Sequence, residues 1–260
     1  MKKSRIITAA LAALVSVPAA AQVPDDVARM GIVEGWRDSE GRHVAGLSIR
    51  LAPGWKTYWR APGDGGIPPV FNWSGSSNVA DVDVLYPVPE VFLQNGLRSI
   101  GYKDSVLFPL LIEPRDGSDA ISLHGEIEIG VCEDICIPVT FRISAQLLPT
   151  KQDSAALSAA LNDRPEIGGA LRCEISPIAD GLRVGVETDV EQMGGEEVVV
   201  VEAGESGLWI SEADVSRSGA TLRAEVEMVP PDARPFALAR SDVRVTILAG
   251  GKAIEALGCD

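Results

Sequence analysis

Alternation of apolar and polar side chains is the feature that most limits what this chain can fold into, because a period of two lines one face of a strand and cannot form a helical stripe. It runs through His43-Val44-Ala45-Gly46-Leu47-Ser48-Ile49-Arg50-Leu51, through Ala80-Asp81-Val82-Asp83-Val84-Leu85, and through Ile121-Ser122-Leu123-His124-Gly125-Glu126-Ile127-Glu128-Ile129. These segments read as half-buried strands. Turns rich in Gly, Pro and Asp punctuate them at short intervals, which favours antiparallel sheets packed as a sandwich over alternating strands and helices. The expected fold class is all-β, with a first unit over residues 22–149 that ends near Leu148-Pro149.

Between Thr150 and Gly169 the pattern changes. Asp153-Ser154 can cap a short helix from Ala155 to Leu161, and Asn162-Asp163-Arg164-Pro165 ends it. Leu157 and Leu161 share a face, so residues 150–169 are expected to form a linker helix docked on a sheet. From Leu171 the alternation resumes, in Leu182–Val186, Glu197–Glu202, Leu222–Met228 and Val243–Ile247, and implies a second, smaller β domain over residues 170–260.

The N-terminus and the charge exclude several function classes. Lys2, Lys3 and Arg5 precede an uncharged stretch from Ile6 to Val17, and Ala19 and Ala21 meet the small-residue rule for cleavage, so residues 1–21 read as a cleaved secretory signal. The apolar run is shorter than the roughly 18 residues of a spanning helix, and Pro18 interrupts it. An oxidising compartment follows, where disulfides are expected. The formal charge is −14, and loss of the three basic residues of the leader takes it to −17, a field that repels nucleic acid and anionic membrane surfaces. With 46% hydrophobic residues in a chain of 260, a large core or two smaller ones can be buried, which excludes a disordered protein.

Cys132 and Cys136 lie in Gly130-Val131-Cys132-Glu133-Asp134-Ile135-Cys136-Ile137-Pro138. Two thiols so close can switch between dithiol and disulfide without unfolding what surrounds them. Closing so short a ring restricts the unfolded chain by only about 2 kcal/mol, whereas the long ring between Cys173 and Cys259 gives roughly 4 to 5 kcal/mol. The short pair is therefore the expected redox device and the long pair the expected structural disulfide. Four cysteines allow three connectivities, which the sequence alone leaves open; this assignment rests on spacing and on the domain division. Exchange needs a thiolate, an accessible disulfide sulfur and a second thiol that releases the mixed intermediate. Glu133 and Asp134 disfavour further negative charge between the cysteines, which suits a slow, partner-activated reductant.

Four segments together carry a family resemblance: Gly54-Trp55-Lys56-Thr57-Tyr58-Trp59-Arg60-Ala61-Pro62-Gly63-Asp64-Gly65-Gly66-Ile67-Pro68-Pro69, Tyr86-Pro87-Val88-Pro89, Gly101-Tyr102, and Cys132 to Pro138. In order and spacing, over about Val33 to Leu148, they resemble the N-terminal domain of the thiol:disulfide interchange protein DsbD. The three-residue gap between the cysteines looks closer to the branch that includes suppressor of copper sensitivity protein B. The resemblance implies a periplasmic domain with an immunoglobulin-like β-sandwich, which accepts electrons from a membrane relay of the DsbD or CcdA kind and passes them to periplasmic thioredoxin-fold thiol proteins. It implies that Cys136, the cysteine nearer the proline, attacks the partner and that Cys132 resolves the mixed disulfide. It also implies a cap loop over the cysteines, for which Pro89–Gly96 occupies the matching place, with Phe92 as shield and Tyr102 behind it. Members of the family continue into a membrane domain and a thioredoxin-like domain. This chain stops at Asp260 with no spanning helix and no Cys-x-x-Cys, so electrons are expected to arrive from a separate protein.

Other constellations are weaker, and no cofactor is expected. Gly63-Asp64-Gly65-Gly66 lacks the Lys-Ser/Thr of a phosphate loop. Trp55, Tyr58, Trp59, Phe71 and Trp73 could form a binding platform, but aromatics near a sandwich edge are more often core. His43 and His124 each fall within an alternating strand, with no nucleophile-elbow sequence to make a hydrolytic triad. A zinc site from Cys132, Cys136 and His124 does not have zinc-ribbon spacing, and soft thiolates would sooner select copper(I). A copper(I) carrier, or a non-catalytic β-sandwich adaptor with structural disulfides, is therefore the alternative to a thiol-disulfide exchange module.

Overall fold

The computed structural model describes residues 27–94, 96–149, 154–204 and 207–260, so the expected signal at 1–21 and the start of the expected linker, 150–153, lie outside the described residues. The first half of the chain runs through β1 (Ala28–Arg37), β2 (His43–Leu51), β3 (Lys56–Tyr58), β4 (Val70–Asn72), β5 (Asp81–Val84), β6 (Glu90–Gln94), β7 (Leu97–Lys103), β8 (Ser105–Glu113), β9 (Ile121–Cys132) and β10 (Cys136–Leu147). They form two antiparallel sheets, ordered β1-β2-β8-β5 and β10-β9-β3-β7-β6, with β4 also paired to β9. The alternating segments of the sequence supply the inward faces: Leu47, Ile49, Phe108, Leu110, Ile127 and Ile129 are fully buried between the sheets. Phe108 sits among aromatic rings, meeting Tyr86 and Tyr102 edge-on at 5.4 Å each and Phe71 at 6.3 Å. Trp59 lies within this core, while Trp55, Phe71 and Trp73 pack against it from partly buried positions.

A short helix α1 (Ala155–Asn162) follows, capped by Ser154, whose Oγ accepts from the Leu157 N–H at 3.3 Å. Its buried residues are Leu157 and Ala160, while Leu161, one turn beyond Leu157, is half-buried, so the contact with the sheet centres on Leu157. The reason lies in the sheet below. A Cβ added at Gly35 would come within 2.9 Å of a Leu157 methyl, and one at Gly46 within 3.2 Å of the other. Two missing side chains thus make the socket for one leucine, and the contact centres on Leu157. It also explains why β2 is buried on both faces over His43–Leu47.

The second half contains β11 (Glu166–Ile167), β12 (Arg172–Pro177), β13 (Leu182–Asp189), β14 (Val198–Glu202), β15 (Trp209–Ile210), β16 (Asp214–Ser218), β17 (Thr221–Val229), β18 (Arg244–Ala249) and β19 (Lys252–Leu257). They pair as β11-β19-β18-β14 and β12-β13-β17-β15, with β16 also on β17. Val184, Val226, Met228, Val243 and Ile247 fill the core between these sheets. The Cys173–Cys259 disulfide, with Cα atoms 5.5 Å apart, joins β12 to the residues just after β19. The β14–β18–β19 sheet is apolar on both sides. Val199, Val201, Val245 and Ile247 face its own core, while Val198, Leu248 and Ala253 join the core of the first half. The two halves are therefore packed together through one shared sheet.

Two stability predictions follow from buried side chains. Leu157→Ala should lower the free energy of unfolding by about 3 kcal/mol, since Leu157 is fully buried in a socket that cannot collapse; urea unfolding measures it. His43 is 1% exposed with both ring nitrogens unpartnered, and burial, reinforced by Arg37, lowers its pKa to about 4. The folded state then binds fewer protons than the unfolded one between pH 6.5 and 4. Stability at neutral pH should fall by up to about 3 kcal/mol as pH drops through that window. His43→Leu should remove that part of the pH dependence, measured as the difference between the two unfolding profiles at pH 7 and 4.5.

Candidate functional site

The cysteine pair lies at the turn end of the β9–β10 hairpin. The two strands pair without a bulge from Ile121 opposite Leu147 to Cys132 opposite Cys136, and Glu133-Asp134-Ile135 forms the tip. Directly opposed residues bring their side chains to the same face, and the two sulfurs are joined, with Cα atoms 4.2 Å apart. The two halves of this disulfide differ in environment. Cys132 is 1% exposed, while Cys136 is exposed at the edge of the sheet. A reactant in solution therefore reaches Cys136 first.

Tyr58 is the side chain that meets both sulfurs. β3 lies against β9 with Lys56 opposite Cys132 and Thr57 opposite Val131, which places Tyr58 on the outer face of the sheet beside Gly130. Thr57 fastens the pairing by donating to the Gly130 carbonyl at 2.9 Å. The Tyr58 Oη lies 2.6 Å from Cys132 Sγ, 3.0 Å from Cys136 Sγ and 3.2 Å from the Gly65 carbonyl. Its ring fits because two glycines clear the space: a Cβ at Gly130 would meet it at 3.0 Å and one at Gly66 at 2.9 Å. Burial raises the Tyr58 pKa, so the hydroxyl keeps its proton and remains a donor at neutral pH. Reading the sequence grouped Tyr58 with core aromatics and missed this role. The available signal was that a buried tyrosine hydroxyl needs a partner.

The other expected site residues are distributed around this centre. Phe92 pairs with Ser99 in the β6–β7 ladder, and its ring lies under the Lys56 ammonium at 5.2 Å. Two strands separate it from β9, a spacing of about 14 Å, and it borders a cleft shared with Lys56, Lys103, Glu133 and Asp134. Tyr102 lies on the opposite, core-facing side of the sheet. It packs on Phe108 and donates to the Pro87 carbonyl at 2.8 Å, so the expectation that it backs the shield is corrected: it is a core residue. Lys56, which the sequence reading left out, stands opposite Cys132 and lines the same cleft as Glu133 and Asp134; burial lowers its pKa. His124 sits eight residues from Cys132 along β9, about 26 Å away, and bonds to Ser122 instead. A zinc site joining it to the cysteines is excluded by that distance, and no cluster of three or more metal-binding side chains occurs among the described residues.

Comparison with known proteins agrees with this geometry. Residues 24–148 match the family described as thiol:disulfide interchange protein DsbD, N-terminal. The solved structure of the N-terminal periplasmic domain of ScsB from Proteus mirabilis is similar over 92% of this chain and 97% of its own, with a TM-score of 0.67 and 23% identity. No curated protein sequence matches the chain. The ScsB likeness extends through both halves and shows the fold, an all-β, immunoglobulin-like architecture. No helix among the described residues is long and apolar enough to cross a membrane. The disulfide-bearing sandwich is the part of the chain that matches the DsbD N-terminal family, over residues 24–148.

Proposed function

We propose that the protein is a periplasmic thiol-disulfide exchange module in which Cys132 and Cys136 cycle between dithiol and disulfide. The observation that carries this reading is the asymmetry of the pair: one sulfur exposed, one buried, and a tyrosine hydroxyl within hydrogen-bond reach of both. A dithiol donor, in this reading a membrane electron relay, attacks Cys136 Sγ and leaves Cys132 as thiolate; its second thiol then releases Cys136, and two electrons have entered the site. In the forward direction the Cys136 thiolate attacks a partner disulfide and expels one partner thiolate. Cys132 then attacks Cys136 Sγ, re-forms the internal disulfide and releases the partner's second sulfur as thiolate, which takes up a proton from water. The chain's own contribution is geometric and electrostatic. The hairpin holds Cys132 against Cys136, and the Tyr58 hydroxyl donates to whichever sulfur carries charge. Lys56 lines the cleft beside the acidic tip, and Phe92 flanks the approach to it. The Cys173–Cys259 pair serves stability, since its long ring restricts the unfolded chain far more than the short one.

In redox buffers, Cys132 and Cys136 should titrate together at a potential above roughly −300 mV while Cys173 and Cys259 stay oxidised. Cys132→Ser should trap a partner on Cys136, and Cys136→Ser should trap none. Alkylation with peptide mass mapping reads both results, and resistance of all four cysteines until the protein unfolds would count against exchange and favour an adaptor.

Tyr58→Phe keeps the ring between its two glycines and removes only the hydroxyl. Reduction of the Cys132–Cys136 disulfide by a small dithiol should slow at least tenfold, because a hydrogen bond to a charged group is worth about 1.5 to 3 kcal/mol. Stopped-flow kinetics at neutral pH measures the change, and an unaltered rate would remove Tyr58 from the chemistry.

A further inference from the structure

Tyr58 is held from behind by a segment that the other half of the molecule grips at two points. Arg60, two residues after Tyr58, has its guanidinium 4.1 Å above the Trp59 ring and is ion-paired across the junction to Glu202 at 3.0 Å and to Glu255 at 2.5 Å. Asp64, further along the same segment, accepts from the Trp209 indole N–H at 3.1 Å. Between these two anchors run Pro62 to Gly66. The Gly65 carbonyl lies 3.2 Å from the Tyr58 Oη as a further acceptor within reach of its single proton, and Gly66 lies against the Tyr58 ring. Both anchoring partners, the carboxylates on β14 and β19 and the indole on β15, belong to the second half.

We propose that the C-terminal β unit is a positioning element for the Cys132–Cys136 pair, acting through Arg60 and Asp64, which hold segment 60–66 and thereby the Tyr58 hydroxyl on the sulfurs. This rests on the exchange function proposed above. Arg60 is mostly buried, with 16% of its side chain exposed, so deleting the charges that face it leaves a cation without compensation and drives it from its slot. The wall that Gly66 sets against the Tyr58 ring then loses its fixed position, and with it the aim of the hydroxyl at the sulfurs. A hydrogen bond to a thiolate is stronger than one to a neutral disulfide sulfur, so loosening Tyr58 costs the reduced state more than the oxidised state. The pair becomes harder to reduce.

The experiment is a redox titration of the full chain, with alkylation of each cysteine mapped, beside thermal unfolding of the same samples. Glu202→Gln combined with Glu255→Gln should shift the equilibrium constant of the Cys132–Cys136 couple about tenfold toward the disulfide, which is about 30 mV for two electrons. Trp209→Phe should move it less, in the same direction, and Glu202→Asp should remain near the unaltered protein. A role in stability alone would lower the unfolding temperature and leave the couple in place, and that result, in a folded double variant, overturns the proposal. Where the double variant does not fold, Trp209→Phe decides, because Trp209 is 48% exposed and its loss removes one hydrogen bond; an unchanged couple there overturns the proposal equally. If the unaltered pair does not titrate reversibly, the exchange function itself fails, an outcome distinct from a titrating pair that ignores these substitutions.

Discussion

Residue pairs hold β9 against β10 without interruption from Ile121 opposite Leu147 to Cys132 opposite Cys136, and the position of the disulfide is set by that ladder rather than by the disulfide itself. Ile127, Ile129 and Val131 of β9 face the core, which fixes the register, since a slip of one residue would turn each of them toward solvent. With register fixed by burial, Cys132 must lie on the outer face beside Gly130 and opposite Lys56, and Cys136 must come back to it across the hairpin tip. The sulfurs would therefore remain neighbours in the dithiol state. The same ladder makes the bond dispensable for the fold, which is the condition for breaking and re-forming it.

The outer face of a sheet is normally wet, yet Cys132 is buried there. Tyr58 and the loop from Pro62 to Ile67 supply the cover: Gly66 admits the Tyr58 ring from one side, Gly130 from the other, and Ile67 closes over Gly130. Covering stops at the second cysteine, so burial divides the pair into one sulfur that can be attacked and one that is kept aside. Thiol exchange depends on which sulfur is reached and on what stabilises the departing one. Here the first is decided by exposure and the second by a single hydroxyl.

Much of this was legible from alternation and spacing. His43–Leu51, Ile121–Ile129 and Leu182–Val186 are strands in the structure, and both cysteine pairs formed where ring size and the division of the chain pointed. The misreadings share a cause, which is that a period of two tells which residues share a face but not which face is covered. Tyr102 and Tyr58 are neighbours in the β7–β3 ladder and both buried, yet one faces Phe108 in the core and the other faces the sulfurs. Their separation depends on the pairing of Thr57 with Tyr102, a long-range register that the sequence does not state. Leu157 likewise chose its socket from glycines more than a hundred residues away.

Docking of the two halves was written in Glu197–Glu202, a segment counted among the alternating strands although its four central residues do not alternate. Val198-Val199-Val200-Val201 is apolar at every position, the pattern of a strand buried on both faces, and β14 does bury Val199 and Val201 in one core and Val198 against the other. Apolar surfaces alone fix such a contact only loosely, because valine against alanine is nearly indifferent to a small slide. The guanidinium of Arg60 is not indifferent. Its planar fork meets Glu202 through both Nε and a terminal nitrogen while a second carboxylate, Glu255, takes the same terminal nitrogen. A buried ion pair of this kind adds little net stability over an apolar substitute, so its effect is best sought in geometry. It fixes the chain just after β3, two residues beyond the tyrosine whose hydroxyl meets the sulfurs.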